Sequence, residues 1–417
     1  MTNLYTMFIT DGKDTTFMAI FHDGRSHVSS PVPRILIASE ITARISVLYF
    51  NSNKNQSITI GKGNTEDNLS NSVIPSDGNH LAGVELQSDV RINVYGFLYQ
   101  DRHSEGFLLM PVRFASTKYI IPTLPTFGEK NLLALSPVYQ NTAVNINLKL
   151  TSGSITFQNK QYSDNDTIRI VINKYNTFQL SHTSDLSGTM VTASKQVIVV
   201  SGNQCNYAVP ANIHVGYCQT FIESVLPTDQ LDKMFITPYI STRLNNTVRI
   251  QAVNSTKLTI KVENRKISKT LNARDYWDIY YNTTAFIFAS DDILVISYPH
   301  GLPGGKGDPF MMTIPGVNQY LYEYDFSVPT GFHSYVSITV PRDDIDCFLL
   351  DGEYFNITSV MNISDERIHF STFSLPISDG FHHIEHGKKI RFGLWVYGNG
   401  YHEGYGYPAG IAYRIYN

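Results

Sequence analysis

The densest group of metal-ligating side chains is FHHIEH, Phe381 to His386, with His382, His383, Glu385 and His386. A metal needs its donors at one point, and on a strand rising about 3.3 Å per residue His382 and His386 would stand about 13 Å apart on one face. The segment therefore reads as a structural turn and strand, like SDGNHLAG (Ser76 to Gly83), where His80 stands alone. GLPGGKGDP (Gly301 to Pro309) offers Lys306 among glycines, but it lacks the G-x-x-x-x-G-K-[ST] spacing and a following helix, so it reads as a flexible inter-strand loop. Asp343, Asp344, Asp346 and Asp351, and Asp164 with Asp166, lack the EF-hand order and read as solvated turns. Ser201 has valine at Val199 where the G-x-S-x-G nucleophile motif needs glycine. No catalytic residue, metal or cofactor is expected.

The remaining candidate is for recognition. In YGNGYHEGYGYPAG (Tyr397 to Gly410), Tyr401, Tyr405 and Tyr407 on glycine-rich backbone would offer flat amphipathic surfaces of the kind used in paratopes and in stacking on sugar rings. The alternative is that these tyrosines pack within their own module.

The elements that would carry these residues are strands. A phrase read as a strand ending in a turn recurs as INVYG (Ile92 to Gly96), IVVSG (Ile198 to Gly202), LVISY (Leu294 to Tyr298) and LWVYG (Leu394 to Gly398), a period of roughly 100 residues. GFLLMP (Gly106 to Pro111), KMFITP (Lys233 to Pro238), PFMMTIP (Pro309 to Pro315) and GYGYPAG (Gly404 to Gly410) follow as matching apolar segments with proline. ARISVLYF (Ala43 to Phe50), VNINLKL (Val144 to Leu150), VRIQAV (Val248 to Val253) and VSITV (Val336 to Val340) precede as alternating strands. The expectation is an all-β chain of about four tandem β-sandwich-like modules, each with its own core. Their bounds would be residues 1–124, 125–239, 240–330 and 331–417.

Composition bounds the partners. A net charge of -4 with 16% charged residues leaves no electrostatic footprint for nucleic acid. No apolar run is long enough to span a bilayer as a helix. Tyrosine and phenylalanine, at 26 and 23 copies against 2 tryptophans, together with Asn-rich turns, suit an extracellular β-protein. Eight N-x-S/T sequons, at Asn55, Asn68, Asn165, Asn245, Asn254, Asn282, Asn356 and Asn362, lean toward a glycosylated surface. Cys205 and Cys218 lie close enough to close a short loop, or remain reduced and buried, and Cys347 is left odd. MTNLYTMFITDG lacks the features of a signal peptide, so the chain is expected to be a fragment of a longer secreted protein.

The segment ASKQVIVVSGNQCNYAVPANIHVGYCQTFIESVLPTDQL (Ala193 to Leu231) resembles the signature of the IgG Fc-binding protein N-terminal domain family, through Ser201, Gly202, Cys205, Val209, Pro210, Cys218, Glu223, Leu226 and Pro227. WVYGNGYHEGYGYPAGIAY (Trp395 to Tyr413), LLDG (Leu349 to Gly352) and TFMAIF (Thr16 to Phe21) are similar to its closing, minor and opening motifs, in family order. The resemblance implies a secreted or cell-surface, mucus-associated, non-enzymatic binding and adhesion domain, with a Cys205 to Cys218 disulfide. It implies a protein or glycoprotein partner, immunoglobulin Fc only by analogy. A structural or adhesive matrix protein acting by repetition and multivalency is the other expectation.

Overall fold

The structure is a computed structural model describing residues 8–24, 30–50, 54–61, 66–100, 102–126, 128–209, 217–263, 265–365 and 368–415. The chain is all-β: the described residues form antiparallel strands joined by turns and single 3-10 turns, with no α-helix among them. The segment Gln219 to Leu231 is the strand Gln219–Ser224 followed by a 3-10 turn at Thr228–Gln230.

One pairing scheme recurs. Each group of strands is built on a long spine, Val84–Gln100, Met190–Asn206 and Ala285–Pro299 in the first three groups. The first half of the spine pairs with an opening strand (Asp14–Ala19, Ser116–Ile120, Asp232–Ile236) and with the third strand of its group (Ala43–Tyr49, Thr142–Asn147, Thr256–Val262). Its second half pairs with the second strand (Val32–Ala38, Asn131–Pro137, Asn246–Ala252) and with a closing strand (His103–Leu108, Gln219–Ser224, Met312–Thr313). The irregularity recurs to the residue. Asp14 faces Ile92 while Phe17 faces Leu86, Ser116 faces Val197 while Tyr119 faces Val191, and Asp232 faces Ile293 while Phe235 faces Ile287. A bulge at that place bends the spine and lets its halves serve different strands. In the last group the bend becomes a break: Gly380–His386 pairs with the opening strand Glu323–Val328, and Gly393–Gly400 pairs with His333–Pro341 and the closing strand Glu403–Pro408.

This pairing corrects three details of the sequence reading. The recurring phrase does not end in a turn, because the spines run on to Gln100, Asn206, Pro299 and Gly400. Its glycines answer to space: a Cβ on Gly96 would meet the Phe107 ring at 2.3 Å, and one on Gly398 the Tyr405 ring at 2.4 Å, each ring belonging to the residue directly opposite. KMFITP is not a closing strand but the opening strand of the third group, and the second closing strand is QTFIES at Gln219–Ser224. The alternating strands were likewise mixed in role, since Ala43–Tyr49 and Thr142–Asn147 pair with the first half of their spine and Asn246–Ala252 and His333–Pro341 with the second. All are strands of similar alternation, so periodicity alone does not distinguish them.

The expectation of a separate core for each module is also corrected. One buried cluster runs from Phe17 to Tyr413 through the first, second and fourth groups, and a second gathers the third group with Trp395 and Tyr397 of the fourth. The strand Gly78–His80 pairs with Thr177–His182 of the second group, and Phe8–Thr10 pairs with Tyr413–Ile415 at the other end of the chain. The closing strands meet at the centre, His103–Leu108 against both Gln219–Ser224 and Glu403–Pro408, with Met312–Thr313 touching the latter two. There Glu105 accepts hydrogen bonds from the amides of Gly106 (3.0 Å), Met311 (2.8 Å) and Gly406 (3.4 Å), and Glu223 from those of Ser224 (2.9 Å) and Thr313 (2.7 Å).

Burial pushes the Glu223 carboxyl up to about 8, against the opposing bonds from Thr313 and Ser224. A carboxyl raised on folding contributes stability that is complete below its unfolded value, about 4.3, and is lost as pH rises through the folded one. Urea midpoints measured from pH 5 to 9 are therefore expected to fall with rising pH. The slope from this group is at most about 1.4 kcal/mol per pH unit, and Glu223→Gln should flatten it.

Candidate functional site

The histidines of FHHIEH are dispersed by the strand that carries them. On Gly380–His386, His382 Nδ1 contacts Asp351 Oδ2 at 2.7 Å, His383 Nδ1 contacts Asp325 Oδ1 at 2.6 Å, and His386 Nε2 contacts the Asp344 carbonyl at 2.9 Å. Only His383 shares a cluster with carboxylates, Glu40 and Asp325, and there Lys13 also pairs with Asp325. The Asp325 bond holds the His383 imidazole above its ordinary range, and Lys13 is the second basic partner of this carboxylate.

Ser378, His382 and Asp351 have the composition of a catalytic triad, with Ser378 Oγ 3.3 Å from His382 Nε2. His382 Nε2 also contacts the Ser378 carbonyl at 3.0 Å. The same clasp occurs at Ser76 and His80, with Oγ to Nε2 at 3.0 Å and the Asp77 carbonyl at 3.2 Å. Both follow the sequence S-D-G-x-H, and in both the glycine, Gly78 or Gly380, has φ near +100°. The contact is how this turn closes.

The other candidates are engaged in structure. Ser201 is fully buried and donates to the Pro122 carbonyl at 2.7 Å. Asp164 and Asp166 accept from the amides of Leu150 and Ser163, Asp344 and Asp346 pair with Lys388, and Asp351 holds His382 and the His383 amide. All eight sequon asparagines are exposed. Of the three tyrosines, Tyr401 is 72% exposed, whereas Tyr405 and Tyr407 are buried and donate to Ser334 Oγ and the Ser327 carbonyl.

What the fold assembles instead is one face made of the connections between spine and closing strands. In the first and fourth groups these are two-residue turns whose second residue, Arg102 or His402, has φ near +60°. In the second the connection carries the Cys205–Cys218 disulfide, with Cα atoms 5.2 Å apart, and in the third it is the glycine loop. Pro210 of the sequence motif lies outside the described residues. His103 Nδ1 contacts Gln219 Oε1 at 3.0 Å, joining the starts of the first and second closing strands. The His402 ring stands edge-on to Tyr217 (4.1 Å) and to Tyr401 (4.2 Å), joining the second connection to the fourth. The His402 amide donates to the Gly305 carbonyl at 2.9 Å and the Asp308 amide to the Glu403 carbonyl at 3.2 Å, joining the third to the fourth.

Under the glycine loop lies a polar floor. Arg243 Nη2 donates to the Asp308 carbonyl at 2.8 Å, while Arg243 Nε and Nη1, both Asp308 carboxylate oxygens and Asn399 Oδ1 are buried without a hydrogen-bond partner. Burial pushes the Asp308 carboxyl up to about 7, with Arg243 opposing and Glu403 adding to the rise, and burial lowers the Arg243 guanidinium to about 10. Sequence reasoning missed Tyr217, His402, Arg243 and Asn399. Tyr217 could have been noticed as the neighbour of Cys218, but nothing local marks Arg243 or Asn399.

The disulfide closes the second of the four connections. The double variant Cys205→Ser/Cys218→Ser is expected to lower the unfolding free energy by about 2–3 kcal/mol, read as a shift in urea midpoint, because the free chain regains the entropy of a 13-residue separation.

The comparisons with known proteins agree with the signature around this disulfide. A family model described as IgGFc binding protein matches residues 105–398. The chain is 25% identical over 350 residues to the human IgGFc-binding protein, an alignment that takes 82% of this chain and 6% of that one, so the chain spans a small part of its relative's length. Two solved structures, of a bacterial ice-binding adhesin retained at a host cell surface and of the BSP domain of a biofilm-associated protein, are each 7% identical. They cover 74% and 97% of this chain and 97% and 96% of their own, with TM-scores of 0.12 and 0.16, too low to bear on the fold. The matched segment runs from the first closing strand to the last spine, so this chain belongs to the IgGFc-binding protein family.

Proposed function

We propose that the chain is a non-enzymatic extracellular binding and adhesion module that recognises a protein or glycoprotein partner through the face where its four inter-strand connections meet. The observation that carries this is the convergence of four connections of three different builds on one repeated strand scheme, since variable loops on a common scaffold are where binding sites reside. The recurrent pairing and its shared bulge support four tandem sandwich-like units. We place their bounds near residues 1–124, 125–239, 240–330 and 331–417, docked as one body with exchanged strands. The disulfide and the eight exposed sequons support a secreted glycoprotein of mucus or an epithelial surface, and no described helix is long and apolar enough to cross a membrane.

Immunoglobulin Fc is the partner in the relative's name and is the first to test. Surface plasmon resonance of the chain over immobilised Fc and over mucus glycoproteins is expected to give saturable binding to one of them. Self-association, or equal adhesion to every surface, would favour a matrix role by repetition instead.

A further inference from the structure

We propose that the glycine loop, the exposed tyrosines beside it and the polar groups beneath it form a carbohydrate-binding site for a pyranose with adjacent free hydroxyls. The inference rests on the loop face of the proposed function and names what that face recognises. A pyranose has an apolar C–H face and a rim of hydroxyls, and both have counterparts here. Tyr217 and Tyr401, 51% and 72% exposed, flank the His402 ring and can receive the C–H face. The carboxylate of Asp308, the amide oxygen of Asn399 and the Nε and Nη1 of Arg243 are planar acceptors and donors suited to neighbouring hydroxyls.

These groups are buried and unpaired, which is the stronger observation. Folded proteins leave few buried polar atoms without partners, and here several lie together in one loop system. A site whose polar groups stay unpaired until the ligand arrives also selects for ligands that carry hydroxyls. The floor is charged and polar rather than aliphatic, which disfavours an apolar peptide.

The loop that covers the floor is held by few bonds. A Cβ on Gly307 would stand 2.9 Å from Arg243 Nη1 and 3.1 Å from Asn399 Oδ1, and one on Gly305 would stand 2.6 Å from the His402 ring, so these glycines lie directly on the groups they cover. Gly304, Gly305 and Gly307 have φ of 71°, 69° and 154°, and three backbone bonds hold the loop: Leu302 to Gly307, His402 to Gly305 and Asp308 to Glu403. Lifting residues 303–307 costs two of those bonds and opens the floor beside the tyrosines.

The test is saturation-transfer NMR on the full chain with methyl β-galactopyranoside, N-acetylgalactosamine and N-acetylneuraminic acid as probes. Transfer to the ring protons of at least one sugar is expected. Tyr401→Ala, a solvent-facing change that leaves the fold intact, and Asp308→Asn should each weaken its affinity about tenfold, with the melting temperature of Tyr401→Ala unchanged. No transfer from any probe, or transfer untouched by Tyr401→Ala, overturns the inference and leaves the floor a solvated polar pocket only. The two readings are separated by enzymatically deglycosylated partner. Binding that survives deglycosylation keeps the proposed function and removes this site, and loss of binding to both forms removes the proposed function itself.

Discussion

Replacing Arg249 with alanine is expected to destabilise the chain by about 3–5 kcal/mol, the largest single-residue effect in the molecule, because it strands a buried carboxylate. Arg249 is fully buried in the second strand of the third group. Its Nε and Nη2 grip Asp278 as a fork, both at 2.7 Å, and Nη1 reaches Asp185 Oδ2 (2.9 Å), Ser187 Oγ (2.6 Å) and the Thr123 carbonyl in the second group. Tyr276 stacks on the guanidinium at 3.6 Å. One buried side chain therefore joins two groups of strands. Burial would raise the Asp185 carboxyl, but Arg249 and the bonds from Thr123 and Ser187 hold it below its ordinary range. A carboxylate lowered on folding contributes stability above its unfolded value of about 3.9 and loses it as pH falls through the folded one. The difference between the wild-type chain and Arg249→Ala in urea should accordingly be largest at pH 7 and shrink toward pH 2. Arg249→Lys should recover little, since an ammonium cannot span two carboxylates and a carbonyl as a planar fork does. An effect of Arg249→Ala below about 1 kcal/mol would mean that the two groups do not depend on this contact.

Glu105→Leu is expected to cost about 4 kcal/mol, because it removes the acceptor of three buried amides at roughly 1–3 kcal/mol each while keeping the side chain's bulk. Those amides belong to Gly106, Met311 and Gly406, in the closing strand of the first group, the segment entering that of the third and the closing strand of the fourth. Burial, with Glu223 nearby, pushes the Glu105 carboxyl well above its ordinary range despite these bonds. Glu105→Gln keeps one acceptor oxygen and should cost less than half as much. Calorimetry would give the loss, and hydrogen exchange would locate it: faster exchange confined to Gly106, Met311 and Gly406 is the expected pattern. Uniform acceleration across the chain would mean that the junction is not where the stability is lost.

Much of the fold was legible in the sequence. The alternation in Ala43–Tyr49, where Arg44 and Ser46 face out and Ala43, Ile45, Val47 and Tyr49 face in, states a half-buried strand directly. The fourfold phrase marked the second half of each spine, and its glycines marked close approaches: of the Phe107 and Tyr405 rings at Gly96 and Gly398, and of the Phe221 carbonyl at Gly202. KMFITP could be taken for a closing strand because it is short, apolar and ends in proline as closing strands do, and which half of the spine a strand joins depends on hydrogen bonds between distant residues. Tyr405 and Tyr407 illustrate the same limit. They alternate on one strand and share a composition with Tyr401, yet the sequence contains no measure of how much of a neighbouring group will cover them.

The family signature and the all-β class were local properties, fixed by residue type and short spacing, and so the chain alone determined them, whereas Cys205 and Cys218 could close a loop or stay reduced and the structure pairs them. Ser201 lacks the first glycine of G-x-S-x-G and FHHIEH spreads its histidines along a strand, so the sequence alone favoured a structural reading of both. The assembly of the loop face was decided only in three dimensions. Residues near 102, 217, 305 and 402 come together because three spines share a bend that the fourth replaces with a break, and the four closing strands meet at one centre; no pattern within one strand encodes that meeting. The unpaired Asp308, Arg243 and Asn399 belong to the same class of fact: whether a polar atom finds a partner depends on everything packed around it.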